Sequence, residues 1–292
     1  MTVSVGICAF NEEGNISKLL ESTLEQEVVT VEIVEIVVIS SASTDKTDSI
    51  VEEFGKIDPR IKLVREEERR GKASAVNMFL GMAIGEICVI QSADTVSTPS
   101  TIEEMCLPIV EDPKIGAVGG NPKPVPGGSF FLDFASSFIW HLHSRVSAKH
   151  PKLGEISAHR NIIDSMPIDA TSDDTYLEYA ITKKGMGLAF APKAVIFNKG
   201  PSNFKEYIEQ RTRWRGAQIK LGMDTGYYSS SSKQFLVNAE VAKYCLLRPW
   251  TIPLVFPLCL IELYCIRRSS RMLRRDPNSF NVWNSLTSTK KM

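Results

Sequence analysis

The chain has 292 residues, of which 43% are hydrophobic and 23% are charged. This length and balance are typical of a globular protein with a large core and exclude a mainly disordered chain. The 34 basic and 34 acidic residues cancel, which argues against a protein that binds nucleic acid by neutralising many phosphates. The cancellation hides an asymmetry, because residues 241–292 contain nine basic and two acidic residues, a charge of +7, and residues 1–240 therefore carry −7.

The first part of the chain alternates between short apolar segments and amphipathic ones. Strands are predicted at residues 3–9, 31–39, 61–64 and 86–91, with helices near residues 16–24, 43–54 and 74–84. Strands that alternate with helices in this way predict an α/β fold, with a mostly parallel sheet covered by helices on both faces. Such sheets bind ligands beyond the carboxyl ends of their strands.

Polar residues stand at those ends, at Phe10-Asn11-Glu12, Ser40-Ser41 and Ser92-Ala93-Asp94. The carboxylate of Asp94 is a candidate ligand for Mg²⁺ or Mn²⁺, because these cations prefer oxygen ligands and can bridge a carboxylate to a diphosphate. The alternative is that Asp94 only caps the turn that follows it.

A glycine and a lysine, Gly71 and Lys72, open the helix predicted after the third strand. Backbone N–H groups and an ammonium at a helix start are suited to phosphate oxygens. The segment is not a P-loop, because Ala73 stands where that motif needs Ser or Thr. A solvated lysine at a helix start is the alternative interpretation.

Two adjacent carboxylates, Asp173 and Asp174, lie at a predicted junction between a loop and a helix. They are suited to cap the helix, or one of them can act as a general base that its neighbour orients. Further on, Gln210, Arg213 and Trp214 share one helix face at spacing i, i+3, i+4. Arginine neutralises diphosphates and an indole stacks on sugar rings, whereas the alternative is a salt-bridged surface helix.

The remaining segments are less regular. Residues 119–128 contain three prolines and predict a loop or a switch into a less regular half, and residues 129–234 mix helices with short strands. Residues 249–266 contain Glu262 as their only charge and precede an arginine cluster, which predicts a membrane-associated segment, either at the interface or crossing once. Three prolines weaken the case for a simple spanning helix, and a buried or amphipathic C-terminal helix is the alternative.

The six cysteines show no CxxC pair and no metal-ligand spacing, so they are predicted to be buried thiols in a reducing compartment. The apolar start of the chain lacks a basic n-region, so no secretory signal is expected. We therefore expect the body of the protein to face the cytosol.

The order of these motifs resembles that of the family 2 glycosyltransferases over about residues 2–222. The matching segments are Cys8-Ala9-Phe10-Asn11-Glu12, Ser40 to Asp45, Gly71 to Asn77, Ser92-Ala93-Asp94, Ser172-Asp173-Asp174 and the Gln-x-x-Arg-Trp motif at Gln210, Arg213 and Trp214. A further stretch, Leu153 to Arg160, resembles the small-residue segment of the family that ends in arginine. The resemblance implies a GT-A nucleotide-diphospho-sugar transferase fold and an inverting, metal-dependent enzyme.

The resemblance also implies roles for individual residues. Asp174 would be the catalytic base, and Asp94 would hold the divalent cation, Mn²⁺ or Mg²⁺. The nucleotide-sugar pocket would be formed by Phe10, Glu12, Ser41, Lys72, Ser92, Ala93 and Arg213. The acceptor would be bound by His159, Arg160, Asp173, Gln210 and Trp214. The donor would be a UDP- or GDP-sugar.

Three departures from the family pattern stand out, because Ser40, Ser41 and Ser92 replace carboxylates. They leave open a non-catalytic relative that binds nucleotide sugars or glycans. A sugar nucleotidyltransferase and a dinucleotide-dependent oxidoreductase are disfavoured, because no glycine-rich loop follows the first strand.

The expected organisation has a catalytic domain at residues 1–232, with a nucleotide-binding half at 1–120 and an acceptor-binding half at 121–232. A helical membrane-associated segment at 233–275 and a flexible tail at 276–292 would follow. The chain lacks the several membrane helices of processive synthases. We therefore expect transfer of one or a few sugars to a glycan or lipid-linked acceptor at the cytoplasmic face of the cell membrane, without nucleic acid as a partner.

Overall fold

The computed structural model describes residues 1–280 and 288–290. Its strands are β1 (Thr2–Ala9), β2 (Glu32–Ser41), β3 (Ile61–Glu66), β4 (Ile87–Ser92), β5 (Thr95–Ser97), β6 (Ile115–Val125), β7 (Ile156–Arg160) and β8 (Gly187–Lys199). Its α-helices are α1 (Ile16–Leu24), α2 (Thr47–Ile57), α3 (Lys72–Leu80), α4 (Thr101–Glu111), α5 (Phe130–Ser147), α6 (Asp173–Lys183), α7 (Phe204–Thr225), α8 (Gln234–Leu247) and α9 (Ile252–Arg275).

These strands form one sheet in the order β3-β2-β1-β4-β7-β6-β8-β5. Strand β1 pairs in parallel with β2 and β4, β2 with β3, and β6 with β8. Strand β7 runs antiparallel between β4 and β6, and β5 is antiparallel to β8. The prediction of an α/β fold with a mostly parallel sheet is confirmed.

The sheet is buried on both faces, which explains why its central strands are almost continuously apolar. Successive residues of β2 alternate between the two faces. Ile36 and Val38 pack in one core with α1, α2 and α4, and Val37 and Ile39 pack in a second core with α3 and α6. The carboxyl ends of β1, β2 and β4 are thereby held side by side at one edge.

The proline-containing stretch predicted as a loop is mostly a strand. Strand β6 continues through Pro122 and Pro124 to Val125 and pairs with β8 along this length, whereas its pairing with β7 covers only Ala117 to Gly119. Because the two prolines are two residues apart, their missing N–H groups lie on the same side of the strand. That side has no β7 partner beyond Gly119, so the prolines fit there.

The helices α8 and α9 pack on α5 and α7 around a third apolar cluster that includes Phe138, Tyr207 and Leu258. Helix α9 runs through Pro257 without interruption, and Pro253 lies in its first turn, where a missing N–H is tolerated. Among the described residues, Pro249–Arg275 is the one helical stretch long and apolar enough to cross a bilayer, and only 22% of its most apolar window is buried.

Large apolar side chains remain exposed on this part of the chain, at Phe235, Leu246, Leu247, Trp250 and Phe256. The predicted flexible tail falls partly on residues 281–287 and 291–292, which lie outside the described residues. Within the described part of that tail, Phe280 is buried against Gly216, and Ser288 bonds to the carboxylate of Glu206. The domain boundaries proposed from the sequence remain predictions.

Candidate active site

The carboxyl ends of β1, β2 and β4 open into a cavity of about 630 Å³. Every site residue predicted from the sequence lines this cavity, with the exception of His159 and Arg160. The structure therefore brings together side chains that are more than 200 residues apart in the chain, as expected for a parallel sheet that binds a ligand at its carboxyl edge.

The turn after β1 is fixed by Asn11, which has the left-handed φ of 52° that asparagine tolerates. Its side-chain oxygen accepts a hydrogen bond from the Thr44 N–H at 2.8 Å, and its own N–H donates to the Ser43 hydroxyl at 3.1 Å. The end of β1 is therefore tied to the end of β2. This contact presents Phe10 and Glu12 to the cavity.

Phe10 and Glu12 have partners that the sequence patterns did not identify. The guanidinium of Arg69 lies 4.1 Å from the centre of the Phe10 ring. The ammonium of Lys290 donates to the Phe10 carbonyl at 2.6 Å and pairs with the Glu12 carboxylate. Burial and the charge of Asp94 raise the pKa of Glu12, and Lys290 opposes this rise. No local pattern links residue 290 to residue 12, so only the fold could reveal this contact.

The two serines that replace carboxylates after β2 have different surroundings. The Ser40 hydroxyl donates to Asp48 at 2.5 Å, which makes it part of the support of α2. Ser41 is buried and lines the cavity. Of the two serines, only Ser41 is therefore placed to contact a ligand in the cavity.

Lys72 begins α3, and Gly71 before it has a φ of 101°, which glycine adopts without strain. The Lys72 ammonium contacts the Asp173 carboxylate at 2.9 Å and donates to the Ser92 hydroxyl at 3.4 Å. Although burial opposes it, the charge of Asp173 raises the pKa of Lys72 above its ordinary value. Lys72 is thus a fixed cation between the strand-end motif and the aspartate pair.

Asp174 lies in the first turn of α6. One of its oxygens, Oδ1, accepts hydrogen bonds from the Thr175 N–H at 2.8 Å, from the Thr175 hydroxyl at 3.3 Å and from the Ser172 hydroxyl. All the hydrogen bonds recorded for Asp174 among the described residues use Oδ1. The carboxylate thus helps to cap the helix while lining the cavity, and its other oxygen remains available to a substrate.

Helix α7 supplies the opposite wall through Gln210, Arg213 and Trp214. Burial lowers the pKa of Arg213 to about 10, and the charges of Glu155 and Asp94 oppose this effect. The guanidinium carbons of Arg211 and Arg215 lie 4.5 Å and 4.8 Å from the centre of the Trp214 ring. Both guanidinium groups therefore contact the indole, and these cation–π contacts hold the ring in place.

The structure places His159 and Arg160 away from this cavity. Because β7 is antiparallel to β4, Arg160 pairs with Ile87 at the start of β4, at the opposite end from Asp94. The Arg160 side chain donates to the carbonyls of Ile109 and Ile115, and His159 is fully buried with its ring on the Arg160 carbonyl. The Arg160 side chain is thus held by backbone carbonyls, and neither residue lines this cavity.

The same antiparallel pairing brings an unpredicted carboxylate into the cavity. Gln91 pairs with Ile156, so Glu155 reaches the Asp94 end of β4. Burial and the charge of Asp94 raise the pKa of Glu155 to about 7. The direction of β7 could not be read from the sequence, and therefore neither could the position of Glu155.

The surroundings of Asp94 fit a divalent cation shared with a diphosphate. The charge of Asp94 raises the pKa of both Glu12 and Glu155, so negative charge is concentrated there. In residues 1–280 and 288–290, no three His, Cys, Asp or Glu side chains form a metal site by themselves. A cation held here would therefore complete its coordination with oxygens from the ligand and water.

Comparison with known proteins agrees with this geometry. The model of glycosyl transferase family 2 matches residues 4–154. The probable glycosyltransferase YdaM of Bacillus subtilis is 27% identical over 232 residues, which cover 74% of this chain and 55% of YdaM. A poly-beta-1,6-N-acetyl-D-glucosamine synthase of Staphylococcus epidermidis is 26% identical over 223 residues, 73% of this chain and 53% of the synthase. An uncharacterized glycosyltransferase of Haemophilus influenzae is 36% identical over 117 residues, 40% of this chain and 35% of the relative.

The chain thus spans between about a third and just over half of the length of the curated relatives it matches. Among solved structures, the mannosyltransferase PcManGT from Pyrobaculum calidifontis, in complex with GDP-Man and Mn²⁺, has a TM-score of 0.60 and 25% identity, covering 98% of this chain and 76% of that chain. Glucosyl-3-phosphoglycerate synthase from Mycobacterium tuberculosis, at 19% identity and a TM-score of 0.52, covers 78% of this chain and 81% of its own and supports the fold.

The neighbours in structure are GT-A glycosyltransferases, so the predicted GT-A fold is confirmed. The family match begins in β1 and reaches Gly154, just before β7, and so contains the strand ends that carry Phe10, Glu12, Ser41 and Asp94. It covers just over half of the 292 residues. From its sequence and its fold together, this chain belongs to glycosyl transferase family 2.

Proposed function

We propose that the protein is an inverting glycosyltransferase that moves a sugar from a UDP- or GDP-sugar to a glycan or lipid-linked acceptor. The observation that carries the proposal is the convergence of Asp94, the Lys72–Asp173 ion pair and Asp174 in one cavity at the carboxyl edge of the sheet. The solved PcManGT complex with GDP-Man and Mn²⁺ supports a nucleotide-sugar donor.

In the proposed reaction the acceptor hydroxyl gives its proton to Asp174 and its oxygen attacks the anomeric carbon of the donor sugar. The bond between that carbon and the diphosphate oxygen breaks on the opposite face, and the nucleoside diphosphate leaves with the bonding electrons. The configuration at the anomeric carbon inverts. Lys72 and Arg213 neutralise the charge that develops on the diphosphate, and Trp214 stacks on the acceptor sugar.

A divalent cation at Asp94 would add positive charge beside the leaving diphosphate. Phe10, Glu12 and Ser41 lie at the carboxyl ends of β1 and β2, next to the end of β4 that carries Asp94, and are proposed to hold the nucleoside. Because Ser41 has no charge, it accepts or donates a hydrogen bond but does not select a base by its charge. The sequence and the site therefore favour neither UDP nor GDP.

A donor screen tests the proposal. The full chain would be incubated with a panel of UDP- and GDP-sugars, Mn²⁺ and a membrane lipid extract, and the products examined by mass spectrometry. We expect one donor to add its sugar mass to a lipid. Tight donor binding in calorimetry, with neither transfer nor hydrolysis for any donor, would instead identify a non-catalytic nucleotide-sugar-binding relative.

Substitutions at the strand-end motif should change cation binding in opposite directions. We expect Asp94→Asn to weaken Mn²⁺ binding by about tenfold or more, because affinity for hard cations follows the number of charged oxygen ligands. Ser92→Asp restores an acid of the family motif and should tighten Mn²⁺ binding. Electron paramagnetic resonance of free Mn²⁺, with nucleoside diphosphate present, measures both. Equal Mn²⁺ affinity in the wild type and the two variants would show that Asp94 is not a ligand of the cation.

We also propose that α8 and α9 lie on the cytoplasmic surface of the cell membrane. Helix α9 is bound to the catalytic domain along its length, because Glu262 pairs with Arg211 and Arg215, and the Ser269 hydroxyl donates to the Thr212 carbonyl. A helix held in this way favours an interfacial position over a crossing one. Its outer face carries exposed apolar side chains, and its second half adds the exposed arginines Arg267, Arg271, Arg274 and Arg275, which suits anionic lipids.

Acidic substitutions on that outer face should release the protein from membranes. Trp250 and Phe256 are 73% and 64% exposed, and Trp250→Glu combined with Phe256→Glu should lower binding to anionic vesicles about tenfold or more. The matched control is Val29→Glu, because Val29 is 93% exposed but lies between α1 and β2. Co-sedimentation with vesicles is the measurement. Equal sedimentation of the double variant and the control would contradict the membrane assignment.

A further inference from the structure

The cavity has an apolar end beyond the catalytic carboxylates. Its walls there come from α5, α8 and α9, through side chains such as Phe138, Leu142, Val241, Leu258 and Leu263. Helices α8 and α9 are also the elements proposed to meet the bilayer. An apolar wall favours an apolar ligand, and a nucleotide sugar has no hydrocarbon chain that could occupy this end of the cavity.

Lys152 lies between the two ends of the cavity. It lines the cavity wall, and burial together with the charge of Lys152 lowers the pKa of His143 on α5. Burial lowers the pKa of Lys152 itself, and the charges of Glu178 and then Asp174 oppose this effect. Its backbone is fixed by a close approach, since a Cβ on Gly119 would lie 2.1 Å from the Lys152 carbonyl oxygen. Lys152 is therefore held at one place beside the catalytic aspartate.

The ammonium of Lys152 is poorly matched by the protein. Lys152 is only 7% exposed, and its one hydrogen bond within the described chain is a 3.5 Å contact with the Leu153 carbonyl. It forms no ion pair with any described carboxylate, and Glu178 is already bonded to the Tyr227 hydroxyl at 2.7 Å and the Leu153 N–H at 3.2 Å. A buried cation without a close partner is costly, and an anionic ligand would supply that partner.

We propose that Lys152 binds the phosphate of an acceptor that is the phosphate ester of a long-chain alcohol, with its hydrocarbon chain lying between α5, α8 and α9. This rests on the proposed transferase function. Apolar walls and a buried cation in one cavity match an amphiphile with an anionic head. The phosphate takes no part in bond making, and the sugar it carries presents a hydroxyl to Asp174, the site of the transfer described above.

Alkyl phosphates test the inference without the true acceptor. The probes are dodecyl phosphate below its micelle concentration, butyl phosphate, dodecanol and inorganic phosphate, with binding to the full chain measured by calorimetry. Dodecyl phosphate should bind most tightly, by up to about fourfold for each extra methylene buried. Lys152→Met should weaken dodecyl phosphate by about 10- to 100-fold and leave dodecanol unchanged. The control Lys193→Met removes an exposed lysine whose side chain is 79% exposed and should change neither.

Blocking the apolar end provides the second variant. Val241→Phe narrows the cavity on α8 and should weaken dodecyl phosphate and dodecanol but not butyl phosphate, whereas Leu246→Phe on the exposed face of the same helix should weaken none of them. Equal binding by wild type and Lys152→Met, or binding of butyl or inorganic phosphate as tight as dodecyl phosphate, would overturn the inference. Nucleotide-sugar binding by Lys152→Met and Val241→Phe is measured separately and tests the donor site. The proposed transferase function fails only if no nucleotide sugar supports transfer in the donor screen.

Discussion

Replacing Asp174 by asparagine is expected to lower the turnover number by about 10²- to 10⁴-fold, the usual contribution of a positioned general base. The amide cannot accept the acceptor proton. The fold should survive, because the asparagine oxygen can still accept the hydrogen bond that the Thr175 N–H gives to Oδ1, and asparagine is a good residue at a helix start. The measurement is steady-state transfer with the donor and acceptor identified by the screen.

The neighbouring aspartate gives a sharp comparison. Asp173 holds Lys72 at 2.9 Å, so Asp173→Asn should raise the KM for the donor more than it lowers turnover. Asp164→Asn changes an exposed aspartate outside the cavity and should leave both constants unchanged. Undiminished turnover by Asp174→Asn, or a larger loss of turnover in Asp173→Asn than in Asp174→Asn, would mean that the catalytic base has been assigned to the wrong carboxylate.

The sequence predicted most of this site because local patterns identify strand ends. Apolar segments followed by Glu12, Ser41 and Asp94 are enough to place these side chains at one edge, since parallel strands end together. The order of the elements was also predictable, because hydrophobic periodicity alternates between two and 3.6 residues along the chain.

What the sequence could not give depends on strand direction and on distant contacts. His159 and Arg160 were expected at the site, but β7 is antiparallel to β4, which turns Glu155 toward Asp94 and carries Arg160 to the other end of the sheet. Three prolines predicted a loop at residues where β6 continues and pairs with β8, on a stretch that β7 leaves unpaired. Lys290 meets Glu12 across 278 residues, a contact that no local pattern encodes.

The position of α9 beside the active site depends on a buried ion triad. Glu262 on α9 pairs with Arg215 at 2.8 Å and with Arg211 at 2.5 Å, and all three side chains are largely buried. Although burial opposes ionisation, the two guanidinium groups lower the pKa of Glu262 from 4.5 to about 2. The same arginines contact Trp214, so the triad joins the helix that we propose meets the membrane to the side of the cavity that we propose binds the acceptor.

Glu262→Gln should therefore lower the free energy of unfolding by about 3 to 5 kcal/mol, because it leaves two buried arginines without a counter-charge. The carboxylate contributes its stability above pH 4.5, and that contribution declines as the pH falls from 4.5 towards 2, where Glu262 is protonated in the folded protein too. Chemical denaturation in one mild detergent, from pH 7 down to pH 3, should show the gap between wild type and variant narrowing. The control Glu209→Gln, on the exposed face of α7, should change stability by less than about 0.5 kcal/mol at any pH. A gap that stays constant with pH would show that Glu262 acts by packing and not by its charge.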